Sequence, residues 1–379
     1  MRRSTAGALA AFAGFGVFWG AWGVLLPDVK EQAGASVAEL GAALLFISLG
    51  ALPTMLVTGR LADRLGARAV TPALVLFGVA ILLPGLAHSV EWLAASLVLV
   101  GAASGALDVA INVAATAAES TGGRRLFQIA HAFFSAGFLS AALAVGLARQ
   151  AGADPLPVLG GTAVLLMAVA WLNSGRPPLT YRPDPRTLRI SRRLLVLGAL
   201  CAIAFVVESG IENWSALFLQ TEHDASPAAT GLGPGMFATA MVLGRTAGQG
   251  LEALLGARGL LAFGAVVAAS GLVLAATSPS IPIAVAGFFL GGAGISVGAP
   301  ALFGAAGRGA LEAERGSALA SVTTVSYLGF LAGPPFLGAV AGAADLRVGM
   351  AALAGLAALL ALATASPAGG ALALRAEGR

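Results

Sequence analysis

Glu208 and Glu212 stand four residues apart in the stretch VVESGIENWSALFL, one above the other on a single helical face, with Asn213 and Trp214 following one step round. Asp108 and Asn112 repeat that spacing in GALDVAIN, and Gln128, His131 and Ser135 share a face shortly downstream. Stacked acids in apolar surroundings can take up and release protons or accept hydrogen bonds from a hydroxylated solute. Asp108 and His131 at similar depth could hand a proton between bulk and cavity, or form a structural hydrogen-bonded pair. An ionisable group inside an apolar helix costs at least about 2.5–3.5 kcal/mol by insertion scales, which makes each acid a candidate functional residue. Other chemistries lack their parts. GISVG at 294–298 fits G-x-S-x-G but lies in an apolar run without the strand-turn-helix context of a nucleophile elbow. Asn213-Trp214-Ser215 is a glycosylation sequon by pattern only. The one lysine, Lys30, stands between Val29 and Glu31 and so fits no Walker A motif, and three scattered histidines with a lone Cys201 have no metal-ligand spacing. No cofactor and no metal are expected.

The chain that must position these residues is apolar. Of its 379 residues 58% are hydrophobic and 11% charged, with a mean hydropathy of +0.89, where soluble domains carry roughly 25% charged residues. Stretches of about 17–25 apolar residues suit a bilayer crossing. The sequence divides into twelve of them: 6–27, 37–57, 70–87, 92–117, 128–148, 156–174, 194–220, 228–249, 259–276, 282–305, 317–341 and 346–365. The runs are continuous, which excludes the roughly 10-residue alternating strands of an outer-membrane barrel. Arg2 and Arg3 precede the first span as they would in a signal peptide. Its apolar core exceeds the usual length of about 7–15 residues and no small-x-small site follows, so it counts as a helix of the protein. The expected class is an all-α integral membrane protein with twelve transmembrane helices.

With the N-terminus inside, all but three of the 22 basic residues fall on the inner side, Arg245 and Arg258 among them; only Lys30, Arg149 and Arg347 fall outside. The expected location is a bacterial inner membrane with both termini cytoplasmic. The net charge of +4 reflects this topology and calls for no nucleic acid.

The longest polar interruption, SGRPPLTYRPDPRTLRISRR, separates two halves: a six-helix bundle at 1–174, a cytoplasmic linker at 175–193 and a second bundle with a short tail at 194–379. A shift of about 190 residues brings the halves into register. Ser36 and Glu39 form a capping-box pattern before span two, and Ser226-Pro227 occupies the matching start of span eight. LGAR at 65–68 recurs at 255–258, and Gly59-Arg60 recurs, five residues short, as Gly244-Arg245. Under the same shift Glu208 corresponds to Phe18 and Glu212 to Trp22, with Trp19 between, so two acids are expected to face two indoles across a pseudo-twofold axis.

Between spans two and three, Gly59, Asp63, Arg64, Gly66 and Arg68 match G-x-x-x-D-R-x-G-x-R, which closely resembles the loop signature of the major facilitator superfamily; Ala67 replaces a basic residue often found there. With twelve spans, a 6+6 repeat and a degenerate second copy, the resemblance covers nearly the whole chain. It implies two pseudo-symmetric six-helix bundles that alternate access by rocking, with this loop pinning the halves together on the inside. Asp63 is expected just ahead of the third helix, where a carboxylate favours the positive end of the dipole.

In that family the first, fourth, seventh and tenth helices line the substrate cavity, near the midplane for parallel repeats. The resemblance thus implies substrate contacts at Trp19, Trp22, Asn112, Glu208, Glu212, Asn213 and Trp214, and proton coupling through Asp108, His131 and Glu208. YLGFLAGPPFLG at 327–338 should break span eleven at Gly333, Pro334 and Pro335 and serve gating. It resembles a pattern that proton antiporters of the superfamily carry in their fifth helix, and its displacement weakens a drug-exporter reading. Glu-x-x-x-Glu-Asn-Trp and the span-four motif look like a bacterial branch near the fucose-permease-like sugar transporters. The expected function is secondary, proton-coupled transport of a sugar or other small polar metabolite. Tryptophans beside acids also suit export of a drug-like or cationic amphiphile. The expected partners are a small-molecule substrate, protons and the lipid bilayer, with the chain acting as a monomer. An enzyme would need a reactive constellation, and a sensor would need a domain larger than the 13 residues after Ser366.

Overall fold

The structure, a computed structural model, describes residues 2–122, 126–174, 191–308, 310 and 314–366. The linker expected at 175–193 falls outside these residues up to Ser191, as do Arg124, Arg125 and the tail beyond Ser366. The chain is helical from end to end among the described residues. Its helices are α1 (Arg2–Gln32), α2 (Val37–Leu65), α3 (Val70–Ala80), α4 (Val90–Gly122), α5 (Leu126–Gln150), α6 (Pro155–Asn173), α7 (Arg192–His223), α8 (Pro227–Thr230), α9 (Leu232–Ala276), α10 (Ile281–Ile295), α11 (Gly298–Arg308), α12 (Arg315–Ala343) and α13 (Leu346–Ala365). Eleven described stretches are long and apolar enough to cross a membrane. One of them, Pro227–Ala276, is two helices joined at Gly256, whose φ of 68° and ψ of 165° leave the helical region. Counting that break gives the twelve spans.

The contacts divide the molecule into two units: Met1–Pro183 with Ala225–Gly235, and Asp184–Asp224 with Met236–Arg379. In the first unit α1 lies directly on α5 and α2 on α4. A side chain at Gly16 or Gly20 would run into the carbonyls of Phe134 and Phe138, and one at Gly50 or Gly101 into those of Val98 and Ile47. Without a hydrophobic drive between helices in lipid, such close backbone approach supplies the packing. The segment Ala225–Gly235 joins this unit through α5. Arg149 donates to the Thr230 hydroxyl at 2.7 Å while its other nitrogens grip the Asp28 carboxylate on α1, and the Gln150 amide oxygen accepts from the Ala228 N–H. In the second unit α12 lies on α7 as α5 does on α1. At its far end Arg347 on α13 bonds Glu222 of α7 and the carbonyls of Ala276 and Ser278.

The repeat is visible in backbone angles. Gly34 (φ 63°) and Asp224 (φ 48°) close the first and seventh spans, and Gly66 (φ 53°) and Gly256 (φ 68°) close the second and eighth spans, each pair 190 residues apart. The chain must turn left-handed at these points, where glycine is least strained. The capping signals form as read: Glu39 accepts from the Ser36 N–H at 2.8 Å and Ser36 from the Glu39 N–H at 3.2 Å, while the Ser226 hydroxyl accepts from Ala229.

Three expectations need correction. The second helix continues to Leu65 and passes through a single 3-10 turn, Gly66–Ala69, into α3. Asp63 therefore lies in the last turn of α2 rather than ahead of the third helix. The tenth span is interrupted at Ser296–Val297, because Pro300 lacks an N–H and its ring excludes the Ser296 carbonyl four residues back. The eleventh is unbroken: α12 runs through Pro334 and Pro335.

Candidate substrate and proton site

In the second unit Glu208 is the centre of a small polar group on an aromatic wall. Its carboxylate is 15% exposed and its Oε1 lies 3.5 Å from Nη2 of Arg245, whose side chain is 44% exposed. Glu212 follows one turn along α7, partly buried, and Asn213 donates to the Ser209 carbonyl at 2.9 Å. Phe205, three residues before Glu208 and on the same face, stacks on Phe330 of α12 with ring centroids 4.3 Å apart; Tyr327 closes the cluster at 6.0 Å from Phe330. Two glycines of α12 press it into place. A side chain at Gly329 would strike the Ala202 carbonyl and one at Gly333 the Ser209 hydroxyl. Gly333 thus sets helix spacing beside the site, with Pro334 and Pro335 directly after it.

Arg245 was not anticipated here. Its Gly-Arg dipeptide matched Gly59-Arg60 and was counted among the inner-side charges. The helix ends keep the 190-residue register at 37/227 and at Gly66/Gly256, so Arg245 corresponds to Met55, more than one turn deeper than Arg60. The register of LGAR carried that signal. Gly244 beside it is pressed on α10 at Ala293 and Ser296, at the interruption of the tenth span. The Phe205–Phe330 stack was equally unforeseen, although Phe205 stands at i−3 from Glu208.

In the first unit Asp108 accepts from the Asn112 amide at 3.0 Å, and the same amide group reaches the Asp108 carbonyl at 2.8 Å. This self-contained turn of α4 orients the carboxylate. The His131 ring stands edge-on to Phe12 of α1 at 5.1 Å. Trp19, partly exposed, makes edge contacts with Phe15 and Phe18. Trp22 is buried, stacked on Phe18. Trp214 in the second unit is buried as well. Of the Gly59–Arg68 signature, Gly59 has open space where a side chain would stand and Arg68 is exposed. The side chains of Asp63 and Arg64 lie outside the described residues.

The fold and the sequence as a whole have counterparts among known proteins. A family profile described as Major Facilitator Superfamily matches residues 7–251. The chain belongs to that superfamily. An uncharacterized MFS-type transporter of Yersinia pestis is 34% identical over 88% of this chain and 88% of its own length. The membrane protein MosC of Rhizobium meliloti is 32% identical over 87% and 82%. Among solved structures, a mutant of the nucleoside transporter NupG superposes with a TM-score of 0.83 at 14% identity, covering 96% of this chain and 98% of the other. A bacterial homolog of the human lysosomal transporter Spinster, inward-facing and occupied, gives 0.78 at 17% identity, covering 96% and 95%. The superfamily member is thus a multi-pass secondary transporter of a small-molecule substrate and not an enzyme.

Proposed function

We propose that this superfamily member carries a small polar metabolite, a sugar among the candidates, by proton-coupled alternating access. It would work in a bacterial inner membrane with both termini cytoplasmic, in a branch near the fucose-permease-like sugar transporters. The observation that carries the reading is the Glu208–Arg245 pair, half-buried in the middle of long helices. A carboxylate there is tolerated as an anion only beside its guanidinium. Protonation dissolves the pair, so proton binding and the arrangement of the site are linked. Phe205, Phe330 and Tyr327 offer faces to C–H surfaces, with Glu212 and Asn213 beside them as further contacts; in the first unit Trp19 and Asn112 are the candidate contacts. Asp108 and His131 are the second proton-coupling candidates. The segments Gly59–Arg68 and Gly333–Pro335 would govern the exchange between states.

The test is flux in proteoliposomes under an imposed pH gradient, with wild type and Glu208→Gln compared. Loss of gradient-driven accumulation with retained substrate exchange supports the assignment. Unchanged pH-dependent flux in the variant removes Glu208 as the proton site. A second reading, export of a drug-like or cationic amphiphile, draws on two stacked acids, Glu208 and Glu212, outnumbering one guanidinium. Thermal-shift screening of sugars against organic cations separates the two, since a ligand that binds only the folded state raises apparent stability.

A further inference from the structure

We propose that Arg245 is the ligand for a carboxylate carried by the transported solute, and that Glu208 occupies the guanidinium as an internal stand-in when no solute is bound. The inference rests on the reading of Glu208 as the proton site and names the polar metabolite as an organic acid.

The arginines that hold this protein together each make three or more hydrogen bonds. Arg149 grips both oxygens of Asp28 and the Thr230 hydroxyl. Arg347 engages Glu222 and the carbonyls of Ala276, Ser278 and Glu222. Arg258 closes the end of α13 through the carbonyls of Thr364, Ala365 and Ser366. Arg245 differs. Its one contact among the described residues is the 3.5 Å approach of a single nitrogen to a single oxygen of Glu208, although a guanidinium carries five N–H donors in a fixed fork. Charge-assisted bonds of this kind normally close to about 2.7–2.9 Å. Arg308 and Glu252 are as far apart, but both are well exposed and Arg308 is the last residue of α11. Arg245 lies between Leu232 and Gly256, about 20 Å from one helix end and about 16 Å from the other at the α-helical rise. A cation with unspent donors at that depth is a functional group.

The fork fits a carboxylate through two parallel bonds, which an ammonium or a neutral hydroxyl cannot reproduce. Around Glu208 within its unit stand Glu212 and Cys201 on α7, Arg245 on α9 and Tyr327 on α12; α10 has no titratable residue, α11 has only Arg308, its last residue and paired with Glu252, and α13 has only Arg347, at the Glu222 end. Arg245 is the single cation among these groups that a solute anion and Glu208 can share. When Glu208 takes a proton it leaves the guanidinium, and the solute carboxylate takes its place. The Phe205–Phe330 stack then lies against the body of the solute, and Glu212 and Asn213 are available to its hydroxyls. One proton and one carboxylate enter together, so the loaded site gains no net charge.

The experiment measures binding by thermal shift on the purified full chain, with D-gluconate, D-glucuronate and benzoate as probes and D-glucose and benzyl alcohol as uncharged counterparts. Readings are taken at about pH 5.5 and about pH 8, where carboxylates of ordinary acidity are ionised throughout. The expected result is stabilisation by at least one carboxylate and not by its counterpart, at least about tenfold stronger in apparent affinity at the lower pH. Arg245→Gln should abolish it and Arg245→Lys should retain part of it. Glu208→Gln should bind the carboxylate at both pH values with the difference flattened. Monodisperse elution of each variant separates lost binding from lost folding, and the Lys variant covers the case in which the Gln variant does not fold. Equal stabilisation by charged and uncharged probes, carboxylate binding undiminished in Arg245→Gln, a response to neutral or cationic probes alone, or silence across all three carboxylates overturns the proposal. Neutral-probe binding with a pH dependence lost in Glu208→Gln would overturn this inference and leave the proton site standing. A pH dependence unchanged in Glu208→Gln would remove the proton site itself.

Discussion

The Arg149–Asp28 pair allows an energetic prediction with a built-in asymmetry. Arg149 is 2% exposed at its side chain and Asp28 is 26% exposed. Replacing Arg149 by Gln leaves an acid that water can reach, and the loss should be about 1–2 kcal/mol, the scale of charge-assisted hydrogen bonds given up in a partly wet site. Replacing Asp28 by Asn leaves a guanidinium almost wholly inside the protein without its carboxylate, the Thr230 hydroxyl being among the acceptors it keeps. Breaking a buried pair on the side that water cannot reach costs about 3–5 kcal/mol, and the Asn amide oxygen recovers part of it, so about 3 kcal/mol is expected. The double variant should lose less than the sum, with a coupling of about 2 kcal/mol, since the second change removes the group the first one stranded. Unfolding of the detergent-purified protein in denaturant, followed by tryptophan fluorescence, measures all four corners of the cycle. The order should be wild type, Arg149→Gln, then Asp28→Asn. An Arg149 variant at least as damaging as the Asp28 variant, or strictly additive losses, would refute the burial argument.

Other changes follow from the same packing. Gly329→Val should lower folded yield sharply, because its side chain meets the Ala202 carbonyl, whereas Gly355→Ala, with nothing within 4 Å, should be neutral or stabilising by about 0.5–1 kcal/mol; size-exclusion profiles with thermal melts compare the two. Gly256→Ala should cost about 1–3 kcal/mol, since φ 68° with ψ 165° is a region that only glycine occupies easily, and a melting point equal to wild type would contradict it. Ser36→Ala should cost about 1 kcal/mol and speed hydrogen exchange at the Glu39 amide, which the Ser36 hydroxyl accepts. Arg258→Ala should speed exchange at the end of α13 by exposing the carbonyl ends at Thr364, Ala365 and Ser366, and unchanged protection there would show that the cap contributes nothing.

The amino-acid sequence by itself determined the membrane class, the twelve spans, the 190-residue repeat and the caps at Ser36 and Ser226. Each of these is a property of a short window or of one window compared with another: hydropathy over about 20 residues makes a span, and a hydroxyl three residues before an N–H makes a cap. The left-handed closures at Gly66 and Gly256 fall within the repeated LGAR, but hydropathy ends the second span at 57, because the charged turns up to Leu65 lie beyond the apolar run. Tertiary structure alone decided which polar residues meet. Arg245 joins Glu208 across 37 residues of chain and Phe330 joins Phe205 across 125, and no periodicity along one helix reports the depth or facing of another. Trp22 and Trp214 are both buried, which residue type does not report: a large amphipathic ring reads alike whether exposed or enclosed, and only the packing of neighbouring helices fixes which surface remains open.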